Sequence, residues 1–112
     1  MKKFVVFFRE PDGRTKPHTE DETKQHQLNW KIWLEKWDKE GKLRGGSGLT
    51  TEGRIIKGDS KIVSHEIHRA GTEIIGGFLM LNAHSFVEAT EIVKSCPVFD
   101  FGGYAEIREM QI

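Results

Sequence analysis

Two side chains in this sequence have the types of a nucleophile and its base: Cys96 and His26. An imidazole exchanges a proton near neutral pH and a thiolate attacks electrophiles, so a neighbouring pair would form a catalytic unit. Geometry permits their approach. If each residue sits on a helix starting at the same end of a sheet, His26 lies roughly 10 Å from Thr19 and Cys96 roughly 16 Å from Ser85, an offset of about 6 Å. The electrostatics are less favourable. A cysteine at a helix C-terminus meets the negative end of the dipole, which discourages the thiolate unless a charged His26 stands beside it. A buried structural cysteine is the ordinary alternative.

Other polar residues offer binding rather than reaction. Arg9, Arg44 and Arg108 fall at strand positions, where a guanidinium entering a cavity would recognise a carboxylate; surface ion pairs are the plainer reading. Trp30 and Trp33 follow His26 at helical spacing and would line a pocket beside it, or simply pack a core. His65 and His68 are three apart on an extended segment and point to opposite faces, so they cannot chelate together. Glu66 and His68 share a face but make only two ligands, too few for a structural metal. Gly45-Gly46-Ser47-Gly48 precedes no helix and lacks the context of a phosphate loop; close backbone packing or a β-bulge explains it better. His18 and His84 stand at helix starts and are expected to face solvent. Neither a metal nor a cofactor is expected.

The elements that must position these groups follow from hydrophobic period and punctuation. Residues 3–9 read as a strand apolar on both faces, with Phe4, Val6 and Phe8 on one and Val5 and Phe7 on the other. Residues 10–16 read as a turn around Pro11-Asp12-Gly13. Thr19 then caps a helix reaching about Glu40 and ending at Gly41, with Glu20, Asp21 and Glu22 at its positive end. At about 100° per residue, His26, Trp30, Trp33 and Trp37 fall within about 60° of one another, with Leu34 beside them. Leu28 and Ile32 point away from that stripe and would be partly exposed or meet another subunit.

Beyond it, residues 42–49 read as a strand, 52–59 as a short strand between turns and 61–67 as another strand. A strand opens at Gly76-Gly77-Phe78-Leu79-Met80-Leu81. The second helix runs from Ser85 to Ser95 with a capping box, Ser85 to Glu88, and an inner stripe of Phe86, Ala89, Val93 and Cys96. Pro97 stops it, Gly102-Gly103 turns the chain, and residues 104–108 close as a strand.

Bulk properties narrow the function class. The 112 residues suit one domain, residues 1–112. Lysine plus arginine balances aspartate plus glutamate at 17 each, so the chain lacks the basic footprint of a nucleic-acid binder. No apolar run approaches the roughly 20 residues needed to span a membrane. The apolar start reads as a buried strand rather than a leader, because Arg9-Glu10-Pro11 follows without a small-residue cleavage site. One cysteine excludes an internal disulfide and fits a reducing, cytoplasmic home.

The order strand, helix, strand, middle strand or hairpin, strand, helix, strand describes an α+β ferredoxin-like sandwich with an antiparallel sheet. Two helices cover one face of such a sheet, yet Phe4/Val5 and Leu79/Met80 make both faces apolar. A second copy packed sheet to sheet, a homodimer, is the economical cover. A paired βαβββ metal-chelating fold would need about three strands after the second helix, and the residues beyond Pro97 suffice for one.

The motifs Gly76-Gly77-Phe78, Ser85 to Ala89, Cys96-Pro97, and Gly103 with Ala105-Glu106-Ile107-Arg108 make the chain resemble the YCII-related family, which includes the DGPF-domain proteins. His26 fits as well, since these proteins carry a histidine in the first helix. The resemblance implies a ferredoxin-like fold assembled as a dimeric α+β barrel, in small bacterial proteins mostly of unassigned function. It also implies, for one branch, an active-site dyad of that histidine and an aspartate just before the closing proline. One similar relative dehalogenates chlorinated aromatics. Here Cys96 stands at the aspartate's position, and Glu66-Ile67-His68-Arg69-Ala70-Gly71 replaces the Asp-Gly-Pro-Phe signature.

The reading is therefore a divergent, homodimeric YCII-related protein that binds a small molecule, or acts as an interaction module, near His26, Trp30 and Trp33. The alternative is an enzyme using His26 as general acid or base on a small substrate, an aromatic one among the candidates.

Overall fold

The structure is a computed structural model that describes residues 1–12 and 18–111. Most of the turn expected over residues 10–16 lies outside the described residues. Glu10 and Pro11 do not belong to a turn: β1 runs Lys2–Pro11, longer than its apolar core suggested. The alternation that buries Phe4, Val6 and Phe8 while leaving Val5 and Phe7 half-buried simply continues into charged residues.

α1 is Glu20–Lys39, begun by the expected Thr19 cap. The cap is reciprocal: the Glu22 amide donates to the Thr19 hydroxyl at 3.1 Å and the Thr19 amide donates to the Glu22 carboxylate at 3.0 Å. Two free helix donors are thereby satisfied. The chain leaves α1 through Gly41 at φ +74°, a left-handed position that glycine occupies without strain.

β2 (Leu43–Gly48) follows, then a short hairpin of β3 (Ile55–Lys57) and β4 (Ile62–Ser64). β5 (Glu73–Ala83), α2 (Phe86–Lys94), a 3-10 helix (Pro97–Phe101) and β6 (Tyr104–Glu109) complete the chain. The main sheet has the order β2-β5-β1-β6 with every pair antiparallel, while β3 and β4 form a separate two-stranded sheet. This is a small α+β fold, and its strand order is compatible with a ferredoxin-like arrangement carrying an inserted hairpin.

The register aligns one face of the sheet. Phe4 lies opposite Leu81, Val6 opposite Leu79, and Ile107 joins from β6. Trp33 of α1 and Ala89, Ile92 and Val93 of α2 pack on this face in a single core cluster. Each of the buried Val, Leu, Ile and Phe side chains contributes roughly 1.5–3 kcal/mol by leaving water. Both helices therefore lie on the Phe4 face. The other carries Val5, Phe7, Ile75 and Met80, half-buried, with no helix above them among the described residues.

Two details of α2 differ from the sequence expectation. Phe86 stays 47% exposed, and Ile92 takes its place in the inner stripe. Phe86 instead meets Phe4 edge-on, with ring centres 4.9 Å apart. Ser85 accepts the Glu88 amide at 3.3 Å, but the Glu88 carboxylate binds Lys42 at 2.7 Å, since a full charge is the stronger partner. Leu28 and Ile32 are exposed, at 48% and 58%. No helix among the described residues is long and apolar enough to cross a membrane.

Candidate functional site

A cavity of about 700 Å³ opens between α1 and the β2–β5 side of the sheet. Its origin is the glycine run. Three of the residues at 45–48 have no side chain, so β2 forms an edge without bulk beneath the helix. Gly46 permits the close approach of β2 to β5, since a Cβ there would overlap the Phe78 carbonyl and the Leu79 backbone. The register slips between Leu43 and Gly45, so the bulge inferred from the glycines is present and Arg44 is its extra residue. Phe8, Trp30, Leu34 and Leu43 supply apolar wall, and His26 and Glu10 bring polar groups to it.

His26 is oriented through both ring nitrogens. Trp30, one turn along α1, donates its indole N–H to Nε2 at 3.0 Å. That nitrogen accepts, so the ring proton resides on Nδ1 and is donated to Asp100 Oδ2 at 3.2 Å. Asn29 donates to the same oxygen at 3.0 Å. The Phe101 ring lies 4.5 Å from the imidazole, and His18, exposed as expected, stacks on Phe101 with ring centres 3.7 Å apart.

Asp100 was not among the residues expected at the site. The resemblance implies an acid immediately before Pro97, where the chain has Cys96; the carboxylate that meets His26 is Asp100. It lies instead on the 3-10 helix Pro97–Phe101, one three-residue turn beyond the proline. The signals for that helix were Pro97 at its start and Gly102 at its end, where φ is +80°.

The other sequence candidates separate. Trp30 lines the cavity and meets Phe8 edge-on at 5.1 Å. Trp33 is 5% exposed, outside the cavity wall, and donates to Ser95 Oγ at 3.0 Å. Arg44 is on the cavity rim, exposed. Arg9 follows Phe8 in the alternation and so faces the opposite side of the sheet, where it pairs with Glu106 at 3.8 Å. Arg108 pairs with Glu106 as well, at 3.6 Å.

Cys96 belongs to the core, 3% exposed, and the partner of His26 is Asp100 rather than this thiol. Burial pushes the Cys96 thiol up to about 11; the Val98 backbone opposes the rise and the Asp100 charge adds to it. At neutral pH such a group is not a thiolate.

Glu10 is the residue that sequence reasoning passed over. Continuing the alternation of Phe4, Val6 and Phe8 by one step places it on the helix face, in the cavity wall. Its carboxylate lies over Gly76, where any Cβ would collide with it. Gly76 is also the extra residue where β5 slips against β1, since Phe8 pairs with Gly77 and Arg9 with Ile75. Burial raises the Glu10 pKa above the ordinary 4.5, against a smaller opposing pull from His26.

Two outcomes are expected from these environments. Iodoacetamide at pH 8 should leave folded protein unlabelled and modify Cys96 stoichiometrically once denaturant is added, as read by mass spectrometry. For Glu10, the folded state holds the proton more tightly than the unfolded chain, so ionisation costs stability as pH rises. Glu10→Gln should therefore be at least as stable as wild type at pH 7, and its relative advantage should shrink as pH falls through the raised value toward 4.5, measured by urea unfolding at each pH.

No family model matches the chain, and no curated protein matches it. The functional reading accordingly rests on the cavity and on the side chains gathered at its wall.

Proposed function

We propose that the protein is a divergent YCII-related module that binds a small molecule in the cavity beside His26 and works as a homodimer. The cavity itself carries the reading. A volume of about 700 Å³ with apolar walls and a few convergent polar groups is the ordinary form of a small-molecule site. His26 serves such a site as a positioning group. Its ring fixes the Trp30 indole through Nε2 and ties α1 to the 3-10 helix through Asp100.

The homodimer is supported by the uncovered face of the sheet. Val5, Phe7, Ile75 and Met80 lie there half-buried, and a second copy packed sheet to sheet would take them out of water.

One observation favours the enzyme reading: a carboxylate on Nδ1 orients an imidazole for proton transfer, and Asp100 supplies it. This reading ranks second because Nε2, the nitrogen left for a substrate, already accepts the Trp30 N–H.

Light scattering at micromolar concentration should report twice the monomer mass, and Phe7→Glu should return it to one chain with the secondary structure retained. A monomeric wild type sinks the dimer. For the cavity, an NMR titration with indole and benzyl alcohol should shift the Trp30 indole N–H and the amides of Gly45, Gly46 and Gly48. Shifts confined to other regions, or none at all, would overturn the pocket reading.

A further inference from the structure

Glu10 is placed more deeply than a solubilising carboxylate needs to be. It is half-buried at the end of β1, on the cavity wall, and a glycine on the neighbouring strand leaves space for its carboxylate. Among the described residues no hydrogen bond or ion pair reaches that carboxylate, and His26 on the same wall acts on it only through a weaker coulombic pull. A polar group withdrawn from water without a partner is costly, unless a ligand completes it.

The rest of the lining specifies the sign of that ligand. Glu35 and Asp38 of α1, both exposed, join Glu10 on the wall, against the guanidinium of Arg44, likewise exposed on the edge strand. Trp30 and Phe8 add aromatic surface, which attracts cations by its quadrupole. An anion entering the cavity would meet three carboxylates and would leave Glu10 unsatisfied. An ammonium or amidinium on an apolar body would satisfy it with a charge-assisted bond.

We propose that Glu10 is the recognition residue of the cavity and that the ligand class is an apolar amine or amidine, its cation on Glu10 and its hydrocarbon against Trp30 and Phe8. The inference rests on the pocket reading and deepens it. Gly76 has a defined part, because a side chain there would displace the carboxylate from its seat.

The test compares three probes of nearly equal shape, benzylammonium, benzyl alcohol and benzoate, titrated at pH 7 into wild type, Glu10→Gln and Gly76→Ala. The readout is the shift of the Trp30 indole N–H and the Gly48 amide. Benzylammonium should bind most tightly and benzoate least. Glu10→Gln, nearly isosteric and so expected to keep the native spectrum, should weaken benzylammonium about tenfold or more and leave benzyl alcohol unchanged. Gly76→Ala should weaken benzylammonium in the same sense while the carboxylate remains present. Equal binding of all three probes, tighter benzoate, or indifference to Glu10→Gln overturns the amine assignment and leaves the pocket standing. If no probe moves the cavity resonances, the pocket reading fails and this inference fails with it.

Discussion

The molecule depends on the ladder between β1 and β5. These are the two longest strands, paired antiparallel at the centre of the sheet, and their register sets Phe4 against Leu81 and Val6 against Leu79. Strand side chains alternate with period two, so a slip of one residue would turn this inward set to the other face. The core contributed by Trp33, Ile92 and Val93 would then have nothing to meet. The ladder also contains its own interruption. The slip at Gly76 lies beyond the Phe4–Leu81 and Val6–Leu79 pairs. There Gly76 leaves room for the carboxylate of Glu10 instead of filling the space itself.

A second constraint acts across the layers. The stripe on α1 is a core device along most of its length: Trp33 is buried, and Trp37 and Leu34 pack against the same cluster. At its N-terminal end the stripe changes character. Trp30 keeps its ring on Phe8 but spends its N–H on His26, and His26 passes the connection to Asp100. An apolar seam thus becomes a chain of hydrogen bonds within one helical turn. The 3-10 helix, anchored in the core by Val98, gains a polar tie to α1 as well.

The sequence displayed the fold well because its signals are local and agree with one another. The Thr19 cap, the stop at Gly41, the alternation of Phe4 to Phe8 and the cap at Ser85 each follow from neighbouring residues. The site was less legible, because it depends on where separate elements meet. His26 and Trp30 were found through periodicity. Asp100 was not legible because no hydrophobic period marks a five-residue 3-10 helix, and the residue beside the proline is Cys96. Glu10 was missed for a different reason: Pro11-Asp12-Gly13 suggested a turn, and the turn signal concealed a strand that carries on into charged residues. Trp33 shares the His26 stripe and Arg9 a strand position, but a shift of one strand position or one helical turn sends a side chain elsewhere.

The glycine edge of the cavity has a consequence for how its selectivity can change. Most binding sites are shaped by side chains, and exchanging those can enlarge a site as readily as reduce it. Here one wall is main chain, already stripped to its minimum. Gly46 is barred from alteration by the backbone of β5, and Gly45 by its φ of +143°. Gly48 differs. It stands opposite Gly77 on the inward face, has an ordinary φ, and meets nothing closer than a carbonyl 3.9 Å from where its Cβ would be. Mutation along this wall therefore has one open direction, toward a smaller chamber, and Gly48 is the position where a lineage would take it.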